Sequence, residues 1–425
     1  MTRGQPALLR GRNFRLLWIG ETTSAVGNAV TVVALPLVAV ATLHASTFTV
    51  GVLAASVWAP WLVLGLPAGA WVDRMPRRPV MLACDAVSAL AFASVPVAAW
   101  LGVLGIAQLI AVALASGTST VFFSVAYHTY LPTLVRAEDL VRGNAALQGS
   151  EAAAGVAGPG LGGLLAQAFG AVTGLLGDAV SFAASAACLL SIQAREPRRT
   201  VPGRRGTTLR REVGDGLRFV AGDRYLRVFA LYGAVFNLIF NGVQALLVVF
   251  LVRVVGLDPG PVGLVFSGAS LGGVAGAVVA GRLARRCGTA RATLLLVLGG
   301  PPFGLLIPLA TLGRTGLVVC VLGAAILVGG TVGDNIILGS FRQAYTPPEL
   351  LGRVTASMRF VMHGTIPLGA LLGGALGTML GIRPALWVLL VSGAAVGSIL
   401  LVGPIRKHRD LPAAPASSVP EPVVG

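Results

Sequence analysis

The chain has 425 residues, of which 55% are hydrophobic and 11% charged, with a mean hydropathy of +0.83 and a net charge of +16. This excludes a water-soluble globular domain, because so much apolar sequence has no core large enough to enter. The arginines stand between apolar runs rather than on one surface, so orientation in a membrane explains the basic excess better than nucleic acid does.

The N-terminus is basic and the first apolar run is long enough to cross a bilayer, so it is expected to stay as a helix rather than be cleaved. A span needs about 20 mostly apolar residues. By that measure the sequence predicts twelve, at 14–40, 48–71, 79–101, 106–127, 144–167, 171–192, 226–252, 262–281, 292–312, 316–339, 354–379 and 384–403. The longest polar interval, 193–225, divides them six and six. The expected fold is all-α and membrane-integral. Its parts are a six-helix bundle at 1–192, a cytoplasmic basic linker at 193–225, a second bundle at 226–404 and a disordered cytoplasmic tail at 405–425. Within the linker, Leu209, Val213, Leu217 and Val220 recur among arginines. That spacing fits a helix lying on an anionic membrane surface, with a plain solvated linker as the alternative.

Placing the N-terminus inside puts 28 of the 32 basic residues in cytoplasmic segments. The outer loops hold only Arg253, Arg314 and Arg383, and Arg359 falls within a span. This asymmetry predicts both termini in the cytoplasm. The two halves also repeat. Leu140-Val141-Arg142 aligns with Leu351-Gly352-Arg353 at an offset of 211, as do Gly158, Gly162 and Gly163 with Gly369, Gly373 and Gly374. At 212, Gly69–Pro76 aligns with Gly281–Gly288. A near-constant offset indicates a duplicated six-helix unit, the two copies running parallel.

Cys84, Cys188, Cys287 and Cys320 are scattered, with no CxxC and no Cys/His cluster, so neither a disulfide framework nor a metal site is expected. GxxxxGK[ST] is absent, and no cofactor is expected.

Between the second and third spans, Gly69-x-x-x-Asp73-Arg74-x-x-Arg77-Arg78 resembles motif A of the major facilitator superfamily, with Pro76 in place of the usual second glycine and Trp71 in place of leucine. In the fifth span, Gly158-Pro159-Gly160-Leu161-Gly162-Gly163 resembles motif C, which that superfamily associates with antiporters. Asn13-Phe14-Arg15-Leu16-Leu17-Trp18, Gly352-Arg353-Val354 and Pro367-Leu368-Gly369 look like the exporter group that contains macrolide-efflux and enterobactin-export proteins. The resemblance implies a secondary active transporter of twelve helices working by alternating access. Asn28 stands near a position where that group often has an acid, which argues against a proton site there.

Charged groups inside a membrane cost roughly 2.5–3.5 kcal/mol each at its centre, so those present are functional candidates. They are Glu21, Asp85, Glu151, Asp178, Asp334, Arg359 and His363. Glu21, about 10 Å into the first span, leads as carrier of a coupled proton or binder of a cationic substrate. Asp334 and Arg359 fall at similar depth on consecutive spans and predict an ion pair, with His363 on the face of Arg359. These three serve either coupling or structure. Glu151 shares a face with Ala154, Gly158 and Gly162, as an interface group would, and stands as a further coupling candidate. Asp85 and Asp178 lie on spans that are peripheral in the resembling fold and read as structural.

Ser24, Asn28, Asn237, Asn241, Gln244 and Asn335 are candidates for a polar substrate cavity, and Trp18, Phe123, Phe236 and Phe240 for its walls. Gly69 is read as permitting close helix approach. With Asp73, Arg74, Arg77, Arg78 and Arg353 it forms the expected cytoplasmic gate, with Asp73 facing the N-terminal end of the eleventh span. The second hinge has Arg285 where the first has Asp73.

The function expected is proton-coupled efflux of small amphipathic compounds by a monomer in the cell membrane. Neither an enzyme nor a nucleic-acid partner is expected. Uptake or exchange of a metabolite, sugar or lipid-like solute is the alternative, and a membrane protein without transport a more distant one.

Overall fold

The computed structural model describes residues 11–72, 74–193, 209–403, 405–406 and 408–412. The helices are α1 (Arg12–Leu37), α2 (Thr47–Val72), α3 (Arg77–Trp100), α4 (Ile106–Leu134), α5 (Leu140–Phe169), α6 (Ala171–Ser191), α7 (Leu209–Gly222), α8 (Arg224–Val249), α9 (Pro259–Cys287), α10 (Thr289–Gly299), α11 (Arg314–Tyr345), α12 (Pro348–Leu380), α13 (Ile382–Val396) and α14 (Ser398–Val402). Among the described residues there is no strand, and twelve segments are long and apolar enough to cross a membrane. Hydrocarbon offers backbone groups no hydrogen bonds, so the apolar runs satisfy theirs internally as helices. Prolines stand inside several of them, such as Pro36, Pro96 and Pro159. Linker residues 209–222 are helical.

Packing divides the chain into two units. The first comprises Met1–Gly203, Gln244–Ser267 and Ala370–Ile382, and the second Arg204–Val243, Gly268–Gly369 and Arg383–Gly425.

In the first unit, α1 packs on α5 and α6, α3 on α4 and α6, and α2 on α4. One buried cluster joins Phe14, Leu17, Met81, Tyr130, Leu189 and Ile192. The α1–α5 contact exists because α5 carries no side chain at Gly158 and Gly162. A Cβ on Gly162 would stand 2.9 Å from the Val30 carbonyl oxygen. Gly163 faces α9 in the same way, its Cβ position 2.9 Å from the Cα of Gly263.

Helices α1 and α8 each run on into a five-residue π-helix, Val38–Thr42 and Phe250–Val254. Their closing hydrogen bonds match at the 212-residue offset. Leu43 N donates to Val38 O at 3.0 Å and Ala45 N to Ala39 O at 2.8 Å; Val255 N donates to Phe250 O at 3.0 Å and Leu257 N to Leu251 O at 2.9 Å. Arg253, in the second π segment, donates from Nη2 to Ala45 O at 2.7 Å and so ties the two ends together.

In the second unit, α10 continues as a 3₁₀ segment, Pro301–Leu309, and both pack on α11. Gly216 of α7 lies against Arg353 and Ser357 of α12. The expectation of a disordered tail from residue 405 needs correction. Ile405 is fully buried, and Leu411 packs with Ala280, Ala292, Leu296 and Ile337. Asp410 Oδ1 accepts from Thr289 N at 2.9 Å, and Arg409 O accepts from Ala290 N at 3.1 Å. The first amides of α10 have no partners within their own helix, and these residues supply acceptors. Residues 413–425 lie outside the described residues.

Gly162→Leu should force α5 away from α1 and destabilise the first unit by about 1–3 kcal/mol. The expected reading is a lower midpoint in a thermal unfolding scan of purified protein. A midpoint equal to the parent's would show that the contact is not close-packed.

Candidate functional site

Each unit encloses a cavity. That of the first unit measures about 460 Å³. From α1 it receives Glu21, Ser24 and Asn28, spaced three and four residues apart so that all three point one way. Asp85 and Ser88 come from α3, Phe123, Tyr127 and His128 from α4, and Asn144, Gln148 and Glu151 from α5. Trp18 Nε1 donates to Ser150 Oγ at 2.8 Å and fixes α1 against α5 beside the cavity.

Three acids therefore line one chamber, and no lysine or arginine is among its described lining residues. Glu21 lies within electrostatic reach of both Asp85 and Glu151. Its Oε1 is buried with no hydrogen-bond partner, as is Oδ2 of Asp85, a residue only 1% exposed. Acids that face one chamber in this way attract a positively charged group, since it lowers their mutual repulsion.

Two sequence readings change here. Asp85, read as structural, faces the cavity beside Ser88. Glu151, read as an interface group, is exposed to the same cavity, while Gly158 and Gly162 make the contact with α1. Asp178 does have structural partners. Fully buried, its Oδ2 accepts from Thr31 Oγ1 at 2.5 Å and its Oδ1 from Ser181 Oγ at 3.0 Å, pinning α1 to α6.

The second unit's cavity measures about 370 Å³. Tyr232, Phe236 and Asn237 line it from α8, Asp334, Asn335 and Arg342 from α11, and Met358, Arg359 and His363 from α12. The expected Asp334–Arg359 ion pair does not form. Asp334 turns toward α8 and hydrogen-bonds with Tyr232, and Arg359 instead lies near Arg342. His363 Nδ1 meets the carbonyl oxygen of Arg359, one turn earlier, at 3.1 Å. Asn241 does not line this cavity; its Nδ2 donates to Asn237 O at 2.8 Å. Gln244 packs with the first unit, and Phe240 stacks on Phe236 with centroids 5.9 Å apart.

The hinge between α2 and α3 resolves into individual contacts. A Cβ on Gly69 would meet nothing within 4 Å, so close helix approach is not its role. Arg74 is exposed. Arg77 is 6% exposed, and its Nε donates to Thr129 Oγ1 of α4 at 3.1 Å. Arg78 donates from Nε to Leu189 O at 2.9 Å and from Nη2 to Leu190 O at 2.8 Å, capping the end of α6, where cations are favoured. Asp73 lies outside the described residues. Arg353 meets Gly216 of α7 through its carbonyl.

Arg77→Ala should destabilise the protein by about 1–3 kcal/mol, because it removes a buried donor and leaves Thr129 without it. Arg74→Ala should stay within about 0.5 kcal/mol of the parent. Thermal midpoints of the two variants, measured side by side, check the contrast, and equal midpoints would refute it.

Comparison with known proteins agrees with this architecture. Residues 4–425 match the family described as transmembrane secretion effector. The chain is 28% identical over 425 residues to the multidrug efflux pump Tap of Mycobacterium tuberculosis, covering 97% of this chain and 98% of that one. Among solved structures it is similar to the nucleoside transporter NupG, with a TM-score of 0.74 at 12% identity over 93% of this chain and 99% of the other. It is also similar to a bacterial homologue of the iron transporter ferroportin in an inward-facing state, with a TM-score of 0.73 at 18% identity over 92% and 98%.

Proposed function

The chain belongs to the transmembrane secretion effector family of the major facilitator superfamily, and from that premise we propose that it exports small amphipathic organic compounds in exchange for protons. It is a multi-pass cell-membrane transporter with a small-molecule substrate, and not an enzyme. The direction and the breadth of cargo rest on the likeness to Tap.

One observation supports the coupling: Glu21, Asp85 and Glu151 share a chamber whose described lining holds no arginine or lysine. Glu21 is the proton carrier in this reading, with Asp85 and Glu151 setting the field around it. A cargo bearing a positive group and an apolar body would compete with the proton for the same acids. Phe123 and Phe182 supply apolar wall, and Ser24 and Asn28 supply hydrogen-bonding groups. Competition of this kind gives exchange when the site opens alternately to the two sides and the empty carrier does not turn over.

The distribution of basic residues supports a cytoplasmic location for the termini and the hinge at Arg77. The Arg253–Ala45 bond and the facing glycines Gly163 and Gly263 then form a seal on the outer side. Release outward requires that seal to open, which is one half of alternating access. The bundles at 1–192 and 226–404 would be its moving parts, the linker at 193–225 their tether, and one chain suffices as a monomer. Asp73 would close the inner side against the N-terminal end of α12 near Arg353, where free amides favour an anion.

Cells expressing the protein should accumulate less of a cationic amphipathic dye than cells without it, and a proton ionophore should abolish the difference. Glu21→Gln should lower the proton-driven rate by about tenfold or more, the scale of one lost charged interaction. Ionophore-insensitive efflux would remove the proton from the scheme, and full coupled transport by Glu21→Gln would remove Glu21. Asp73→Asn should insert normally yet transport about tenfold more slowly, on the same scale. Parental rates in proteoliposomes would dispose of the gate.

A further inference from the structure

We propose that the second unit's cavity binds an amphipathic anion, a carboxylate or phosphate on an apolar body, clasped by Arg342 and Arg359.

Both guanidinium groups line the cavity and lie within electrostatic reach of one another. Like charges placed this way repel, and a shared anion would turn that repulsion into two attractions. The Nε of Arg342 is buried without a hydrogen-bond partner. A guanidinium offers five donors in a planar fork that matches a carboxylate or phosphate. No acid among the described residues forms an ion pair with either arginine. Asp334 shares the cavity; it is bonded to Tyr232 and not to either arginine, and its Oδ1 is buried without a partner. Asp223, on the turn before α8, accepts from Tyr225 N and Leu226 N at 2.9 Å each and from Tyr345 Oη at 2.7 Å.

Membrane topology accounts for only one member of this pair. Arg342 is in the last turn of α11, where a topology anchor would stand. Arg359 is eleven residues into α12, about 16 Å from its start at 1.5 Å per residue. The rest of the lining suits an apolar body, with Phe229, Phe236 and Phe341 beside the adaptable Met358 and Met362. A volume of about 370 Å³ lies within the range of small-molecule sites.

The duplication strengthens the point. At the 211-residue offset Arg359 corresponds to Gln148 and Met362 to Glu151; at 212 Gly233 corresponds to Glu21. The second copy has glycine and methionine at two cavity positions where the first has acids, and an arginine where the first has glutamine. The inference concerns binding alone and stands or falls separately from export.

The test uses the full-length protein in phosphatidylcholine nanodiscs, with naphthoate as probe and neutral naphthamide as its isostere, both measured by equilibrium dialysis. Naphthoate should bind at least about tenfold more tightly than naphthamide, and Arg342→Gln or Arg359→Gln should each remove about tenfold or more. Arg342→Lys should keep part of the binding, and Arg291→Gln, which removes an exposed charge elsewhere, none of the effect. Adding phosphatidylglycerol to the nanodiscs separates the sources. Competition with naphthoate identifies a lipid headgroup as the occupant, and its absence identifies a soluble anion. The proposal is overturned if naphthoate and naphthamide bind alike, if naphthoate does not bind, or if the two Gln variants behave like Arg291→Gln. Should either Gln variant fail to elute as a monodisperse species, the naphthoate-to-naphthamide ratio of the parent decides alone.

Discussion

Hydrocarbon solvates neither a charge nor a peptide group, and the architecture depends on that constraint. Every apolar run must close its own backbone hydrogen bonds as a helix, and every intramembrane charge must be turned inward. Helices that carry such charges have to pack closely enough to exclude lipid. Gly158 and Gly162 let α5 press on α1, and Asp178 with Thr31 holds α1 on α6 from the other side. The chamber lined by Glu21, Asp85 and Glu151 is the space these contacts leave.

Not every buried acid has the same role, and the hydroxyl groups sort them. Asp178 is engaged on both oxygens, by Thr31 and Ser181, so its lone pairs are occupied by the protein. Glu21, Asp85 and Asp334 each leave one oxygen buried and unbonded at a cavity wall. An unsatisfied group of this kind is costly to keep, and that cost is recovered whenever a proton or ligand arrives. The distinction separates Asp178 from the acids that line the two cavities without appeal to their depth.

Much of this was legible in the sequence because hydropathy and length act on whole spans, and twelve such spans stand out of the residue string. Glu21, Ser24 and Asn28 were legible through their helical spacing. Asp85 was missed because its helix was judged by the resembling fold rather than by depth. Counted from Arg77, it stands about as far into α3 as Glu21 stands into α1 from Arg12, and that match was available. The Asp334–Arg359 pair failed because depth fixes how far along a helix a group sits but not which neighbour it faces. Arg342 is one of the 28 basic residues assigned to the cytoplasmic side, and charge counting does not reveal whether a guanidinium points into a cavity. The docked tail could not be read from composition, because its anchor is the set of free amides at the start of α10, and those exist only once the helix does.

The matched π segments at Val38–Thr42 and Phe250–Val254 also bear on ancestry. A π turn widens a helix by one residue, and an insertion of that kind seldom arises twice at equivalent positions with the same closing bonds. It was therefore present in the six-helix ancestor before the gene doubled. The charges are not shared in this way: Glu21, Glu151 and Arg359 have no counterparts of like charge in the other copy. The two copies kept the same bends while the chemistry of their cavities diverged.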